Sequence, residues 1–99
     1  MKKLPVFSIM GMRVPVKLIK GLANSKGVVG YYDPSNRIIA IDHEHYNTKE
    51  AMHTLMHELA HAWWIRSGLY QTKLSYDTIE IICETIATVM VENFDIKPR

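Results

Sequence analysis

Three of the five histidines in this chain, His53, His57 and His61, stand four residues apart in the run HTLMHELAHAWW, residues 53–64. In a strand such a spacing would separate neighbouring imidazoles by about 13 Å, whereas on a helix it stacks them one turn above another at roughly 5–6 Å. Apolar residues in the same stretch favour the helix. Ala51 or Met52, Leu55, Leu59 and Ala62 recur at steps of three and four, which makes one apolar stripe. The spacing predicts a helix over about residues 48–67, with Asn47 or Thr48 as cap, Glu50 in the first turn and Gly68 as a left-handed stop. A second helix is expected over about residues 75–95. It begins near Ser75 and Asp77, carries Ile79, Ile82, Cys83, Ile86 and Met90 on one face, and ends before Pro98.

Ahead of residue 48 the period is two. PVFSI, a possible turn at Met10-Gly11-Met12, and RVPVKLI with Val14, Val16 and Leu18 alternating read as two strands. Pro15 argues that the second lies at an edge or ends early, because proline cannot donate to a ladder. A polar stretch, Lys20 to Gly27, separates them from VVGYYDPSNRIIAID, where Asp33-Pro34-Ser35-Asn36 between β-prone runs reads as a hairpin turn. The expected architecture is α+β: a small antiparallel sheet of about three strands over residues 4–42, followed by two packed helices, all in one domain over residues 1–99.

Composition excludes several classes. A chain that is 47% hydrophobic and 22% charged has enough apolar material for a core, and it lacks the bias of disordered or collagenous sequences. The net charge of +2 is weak, and apart from Lys2-Lys3 the basic residues are scattered, so no nucleic-acid partner is expected. No run approaches the roughly 20 apolar residues of a membrane span. The lone Cys83 cannot close an internal disulfide, and no segment has the pattern of a signal peptide, so a cytoplasmic setting is expected.

The segment HELAH, His57-Glu58-Leu59-Ala60-His61, has the form H-E-x-x-H. On a helix its two imidazoles converge on one point, and Glu58, about 100° round from His57, overlooks the same spot. Neutral imidazoles suit zinc, and a catalytic zinc takes three protein ligands with a fourth position open. The third ligand is not the histidine of an H-E-x-x-H-x-x-G-x-x-H motif, since Trp64 and Ser67 stand where glycine and histidine would be needed. Glu80 and Glu84, one turn apart on the second helix, are both candidates for a His2Glu site across an antiparallel helix pair.

Other residues carry two readings each. His53 is either a partly exposed helix histidine with no further role, or a residue that hydrogen-bonds behind the metal ligands or contacts substrate. His43 and His45 are polar loop residues or accessory donors to the transition state. Of the adjacent Trp63 and Trp64, one is expected in the core and the other is placed to border the cleft. Cys83 is read as a small buried hydrophobe, and Tyr70 and Tyr76 lie near helix ends, where a phenol can stabilise an oxyanion.

Taken together, GYYDPSNRIIAID, TLMHELAHAWW and ICETIATVM resemble the ImmA/IrrE-type metallopeptidases, especially the compact versions found in phages and mobile elements. The resemblance runs from about Val28 to Met90. It implies a minimal zincin-like domain of the gluzincin kind. It also implies that the third ligand is the glutamate of an E-x-x-A element, which falls on Glu84 because Ala87 is three residues on. The ligand set is then His57, His61 and Glu84 on Zn2+, with Glu58 activating a zinc-bound water for hydrolysis of a peptide bond. The implied partner is a protein or peptide substrate, including a repressor-like protein. Larger members add DNA-binding or sensing domains, for which 99 residues leave no space. An extended substrate is expected along a sheet edge, with RIIAI (Arg37 to Ile41) the candidate strand. Two other classes compete: a non-catalytic zinc-stabilised interaction module, which has no use for Glu58, and a contact-only anti-repressor partner.

Overall fold

The computed structural model describes residues 4–95, so Lys2-Lys3 and Pro98 lie outside the described residues. Four strands form one sheet: β1 (Val6–Ile9), β2 (Met12–Ile19), β3 (Gly30–Asp33) and β4 (Ile38–Asp42), in the order β1-β2-β4-β3. A short helix α1 (Leu22–Lys26) follows β2, and the long helices α2 (Ala51–Arg66) and α3 (Tyr76–Asn93) follow the sheet.

The β1–β2 hairpin turns at Met10 and Gly11, both at positive φ, which suits a tight turn between right-twisted strands. In β2, Met12, Val14 and Val16 are buried while Arg13 and Lys17 face outward, the expected alternation. The second hairpin closes where Asp33 Oδ1 accepts from the Ser35 and Asn36 amides and Arg37 takes φ 55°.

The sheet is mixed, not purely antiparallel, and it has four strands where about three were expected. β2 and β4 run parallel, with Val16 opposite Ile39 and Ile19 opposite Asp42. The polar Lys20–Gly27 stretch holds α1; this connection carries the chain past β4 to the outer position, so that the β3–β4 hairpin returns inward alongside β2. Pro15 does not put β2 at an edge. Residues 12–15 pair with β1 and residues 16–19 pair with β4, so the proline occupies the last position before the second ladder begins.

The α2 helix lies on the sheet, and α3 packs against α2. The core joins Val14, Val16, Ile39 and Ile41 of the sheet to Met52, Leu55 and Met56 of α2 and Ala87 of α3. Ala51, Ala60, Ala62 and Trp64 are buried as well, so α2 is covered on two sides and is less cleanly amphipathic than the stripe read from sequence. Its start also differs. A 3-10 turn, His45–Asn47, leads in, and neither Asn47 nor Thr48 caps by side chain; the Thr48 hydroxyl donates instead to the His45 carbonyl. Its end is as expected, with Gly68 at φ 84°. At α3 the Ser75 hydroxyl accepts from the Thr78 amide, a regular N-cap. Among the described residues no helix is long and apolar enough to cross a membrane.

Candidate metal centre

Helix α2 runs beside the β3 edge, and its closeness there depends on Gly30. A Cβ at that position would lie 2.9 Å from Thr54 Cγ2 and 3.2 Å from the Ala40 carbonyl oxygen. The glycine thus lets the helix that carries Glu58 settle onto the strand. One turn on, His57 and His61 project toward α3, where Glu80 meets both. His61 Nε2 lies 2.7 Å from Glu80 Oε1, His57 Nε2 lies 3.3 Å from Glu80 Oε2, and the two Nε2 atoms are 3.2 Å apart.

Bonds of about 2.0–2.1 Å around a tetrahedral zinc place neighbouring ligand atoms ~3.3 Å apart. The separations of 2.7, 3.2 and 3.3 Å are of that size, and the three side chains could hold one metal ion with only small adjustment. The donor set, two imidazole nitrogens and a carboxylate oxygen, also fits zinc. His57, His61 and Glu80 are all half-buried, so a bound ion would keep an open side. Burial holds the His61 pKa below its ordinary value against the opposing pull of Glu80, and the neutral ring this favours is the form that binds metal.

The carboxylate brought to the imidazole pair is therefore that of Glu80. Glu84, singled out from sequence through the E-x-x-A element, sits one turn further along α3. Its Oε1 pairs with His53 Nε2 and is 3.7 Å from Nδ1, the rear nitrogen of His57. The His53 hydrogen bond is the main reason that Glu84 is held below the usual carboxylate range. His53 is thus tied to α3, and Glu84 stands behind His57, on the side away from His61 and Glu80.

Glu58 lines the same cleft as His57, His61 and Glu80, a cavity of about 350 Å³ bounded on the strand side by Gly30 and Tyr32 and on the α3 side by Tyr76. Burial and then the charge of Glu80 push its pKa up to about 7, tempered by hydrogen bonding from the Tyr32 backbone amide. A carboxyl group poised near neutrality can both take and return a proton.

Several neighbours resolve into single roles. Trp64 is buried, while Trp63 borders an apolar groove with Met56, Ile86 and Met90 and does not reach the cleft. Cys83 is fully buried, and burial, with the nearby Glu80 and Glu58 charges, raises its thiol to about 11. His45 Nε2 is 2.7 Å from the Thr54 hydroxyl and braces the start of α2, and His43 is exposed. Tyr76 belongs to the cleft, whereas Tyr70 lines a neighbouring cavity. Sequence reasoning passed over Tyr32, Gly30 and Ile65 as site residues. Their only signal was membership of a strand and a helix whose mutual approach the sequence does not state. Against protein-family models, curated proteins and solved structures, the chain gives no match.

Proposed function

We propose that the protein is a zinc-dependent peptidase in which His57, His61 and Glu80 hold the metal and Glu58 is the acid–base residue. One observation carries this: two helical imidazoles and a carboxylate converge at zinc-like separations beside a half-buried glutamate that no ligand role requires. Three protein ligands among the described residues, rather than four, match the ligand count of a catalytic site more closely than that of a structural one. A zinc ion held there would polarise the scissile carbonyl and acidify a water molecule. Glu58 faces the cleft, takes the proton of the attacking water and delivers it to the departing amine as the C–N bond breaks. Glu80 reaches both imidazoles from α3 and so joins that helix to α2 at the site.

The substrate is a protein or peptide in extended form. The strand that offers it backbone groups is β3, at the outer end of the sheet and along the cleft, rather than the RIIAI segment, which forms the interior strand β4. The resemblance to ImmA/IrrE-type peptidases supports the same chemistry and extends it to repressor-like proteins in the cytoplasm. Glu80 takes the ligand place that the E-x-x-A comparison assigns to Glu84.

The test is digestion of a mixed peptide library by zinc-loaded protein, with cleavage read by mass spectrometry against the Glu58→Gln variant. Cleavage by the parent alone is expected. Equal cleavage by both, with zinc bound in both, would leave the metal as a staple between α2 and α3 and favour the non-catalytic module.

A further inference from the structure

Beyond Tyr32 and Ile65 the cleft that holds Glu58 adjoins a second cavity, also of about 350 Å³, and these two residues line both. The second cavity is lined by Arg37 from the β3–β4 turn and Arg66 from the last turn of α2, with Tyr70 and Gln71 beyond them. Neither guanidinium has a carboxylate within salt-bridge distance among the described residues. Arg66 donates from Nε and Nη2 to the neutral Met10 carbonyl at 3.4 Å, which steadies the side chain and leaves its charge unmatched. The nearest acid in the turn, Asp33, is engaged with the Ser35 and Asn36 amides and the Asn36 side chain. The Tyr32 phenol, raised chiefly by burial, feels the positive charge of Arg37, the negative charge of Asp33 and the positive charge of Arg66, in that order, so two cations and one anion flank this wall of the cavity.

We infer that this cavity is a carboxylate-binding subsite, and that the protein selects peptides carrying an acidic group a few residues from the bond it cleaves. Arg37 presents a planar, bidentate guanidinium, Arg66 adds its charge and the donors not turned to Met10, and tyrosine and glutamine add neutral ones, a combination that fits a carboxylate and repels a lysine or arginine side chain. The spacing follows from α2. Glu58 and Arg66 are eight residues apart, about 12 Å along the helix, or roughly three to four residues of extended peptide. Strand β3 starts at Gly30, which abuts Thr54 and lies 3.9 Å from Glu58 at its added Cβ, and leads to the turn that carries Arg37. A peptide antiparallel to β3 therefore enters past the arginines and reaches Glu58 afterwards, which puts the acidic residue three or four positions before the scissile bond.

This inference rests on the peptide-binding part of the proposed function and not on hydrolysis, so it is tested by equilibrium binding. Fluorescence anisotropy would compare end-blocked hexapeptides carrying one Glu near the N-terminal end, the same peptide with Gln or Lys, and a peptide whose only carboxylate is its free C-terminus. Wild-type protein is used, with Glu58→Gln protein in parallel to remove turnover. The Glu peptide is expected to bind about tenfold or more tighter than the Gln peptide, with Lys weakest. The preference should fall to about twofold or less in the Arg37→Gln/Arg66→Gln double variant and persist in large part in the Lys/Lys variant, with melting temperatures verifying that both fold. A stronger response to the C-terminal carboxylate would keep the subsite and reverse the peptide direction. Equal affinity for Glu and Gln peptides, a preference untouched by removal of both arginines, or no binding by any peptide would overturn it. Cleavage without charge preference would sink the subsite alone, and charge-selective binding without cleavage would sink the peptidase alone.

Discussion

At the scale of single residues, the two glutamates of α3 separate by what each carboxylate meets. Glu80 touches both Nε2 atoms, whereas Glu84 meets His53 and the rear of His57. Glu80→Gln is therefore expected to remove most zinc binding, and Glu84→Gln to weaken it by about 10–100-fold at most, the usual effect of losing a group behind a ligand. Competition with a chromophoric chelator measures both, and the opposite ranking would return the ligand role to Glu84. Glu58→Gln changes neither size nor the imidazole pair. It should retain zinc and the parent's melting temperature while peptide hydrolysis falls by roughly 10²- to 10⁴-fold, as for loss of an acid–base group. Zinc content and cleavage rate, measured on one preparation, check the two halves together. His57, Glu58 and His61 were all legible in the sequence because a helical repeat is local. The choice between Glu80 and Glu84 was not, since both lie on one face and only the sliding of α3 against α2 decides which comes opposite the imidazoles.

At the scale of elements, the site depends on how closely α2 approaches β3. Gly30→Ala places a methyl carbon in space already held by Thr54 and the Ala40 carbonyl, so it should destabilise the fold by about 1–3 kcal/mol, the range for overpacking. Chemical denaturation measures this, and a neutral result would mean that α2 can move aside. A second brace lies at the C-terminal end of β4. Asp42 is buried there and accepts from the Ala23 amide of α1 and from the His45 and Glu44 amides of the 3-10 turn. The Ala23 amide, followed by that of His45, holds its carboxyl below the ordinary value of 3.8. A group whose pKa is depressed by folding stabilises the fold above its unfolded value, and that stability is lost as pH falls through the folded value. Melting temperature should thus decline below about pH 4 in the parent. In Asp42→Asn it should be lower at neutral pH and decline less steeply with acid; parallel acid limbs in the two proteins would remove Asp42 from this role. The strands, the end of α2 and the Ser75 start of α3 were readable from period and capping, but the start of α2, displaced by a 3-10 turn, was not, nor was α1, because five residues are too few to show a helical repeat.

Across the whole molecule, the proposed metal adds a tie between two helices that already meet through Ala87 in the core and through the His53–Glu84 pair. Zinc binding the native state alone would stabilise it by mass action, about 2.7 kcal/mol at a free concentration one hundred times the dissociation constant. Chelation should lower the melting temperature of the parent and leave that of a His57→Ala/His61→Ala variant unchanged; a chelator effect of equal size in both would point to metal bound elsewhere. The sequence by itself determined the α+β class, the helix that carries HELAH, the turn chemistry of both hairpins and the residue types able to bind zinc, because each depends on contacts within a few residues. Only the tertiary structure decided the parallel pairing of β2 with β4, the outer place of β3, the meeting of Glu80 with His57 and His61, and the neighbouring arginine cavity. These depend on how separate elements pack, and packing energies between distant segments leave no periodic mark in the chain.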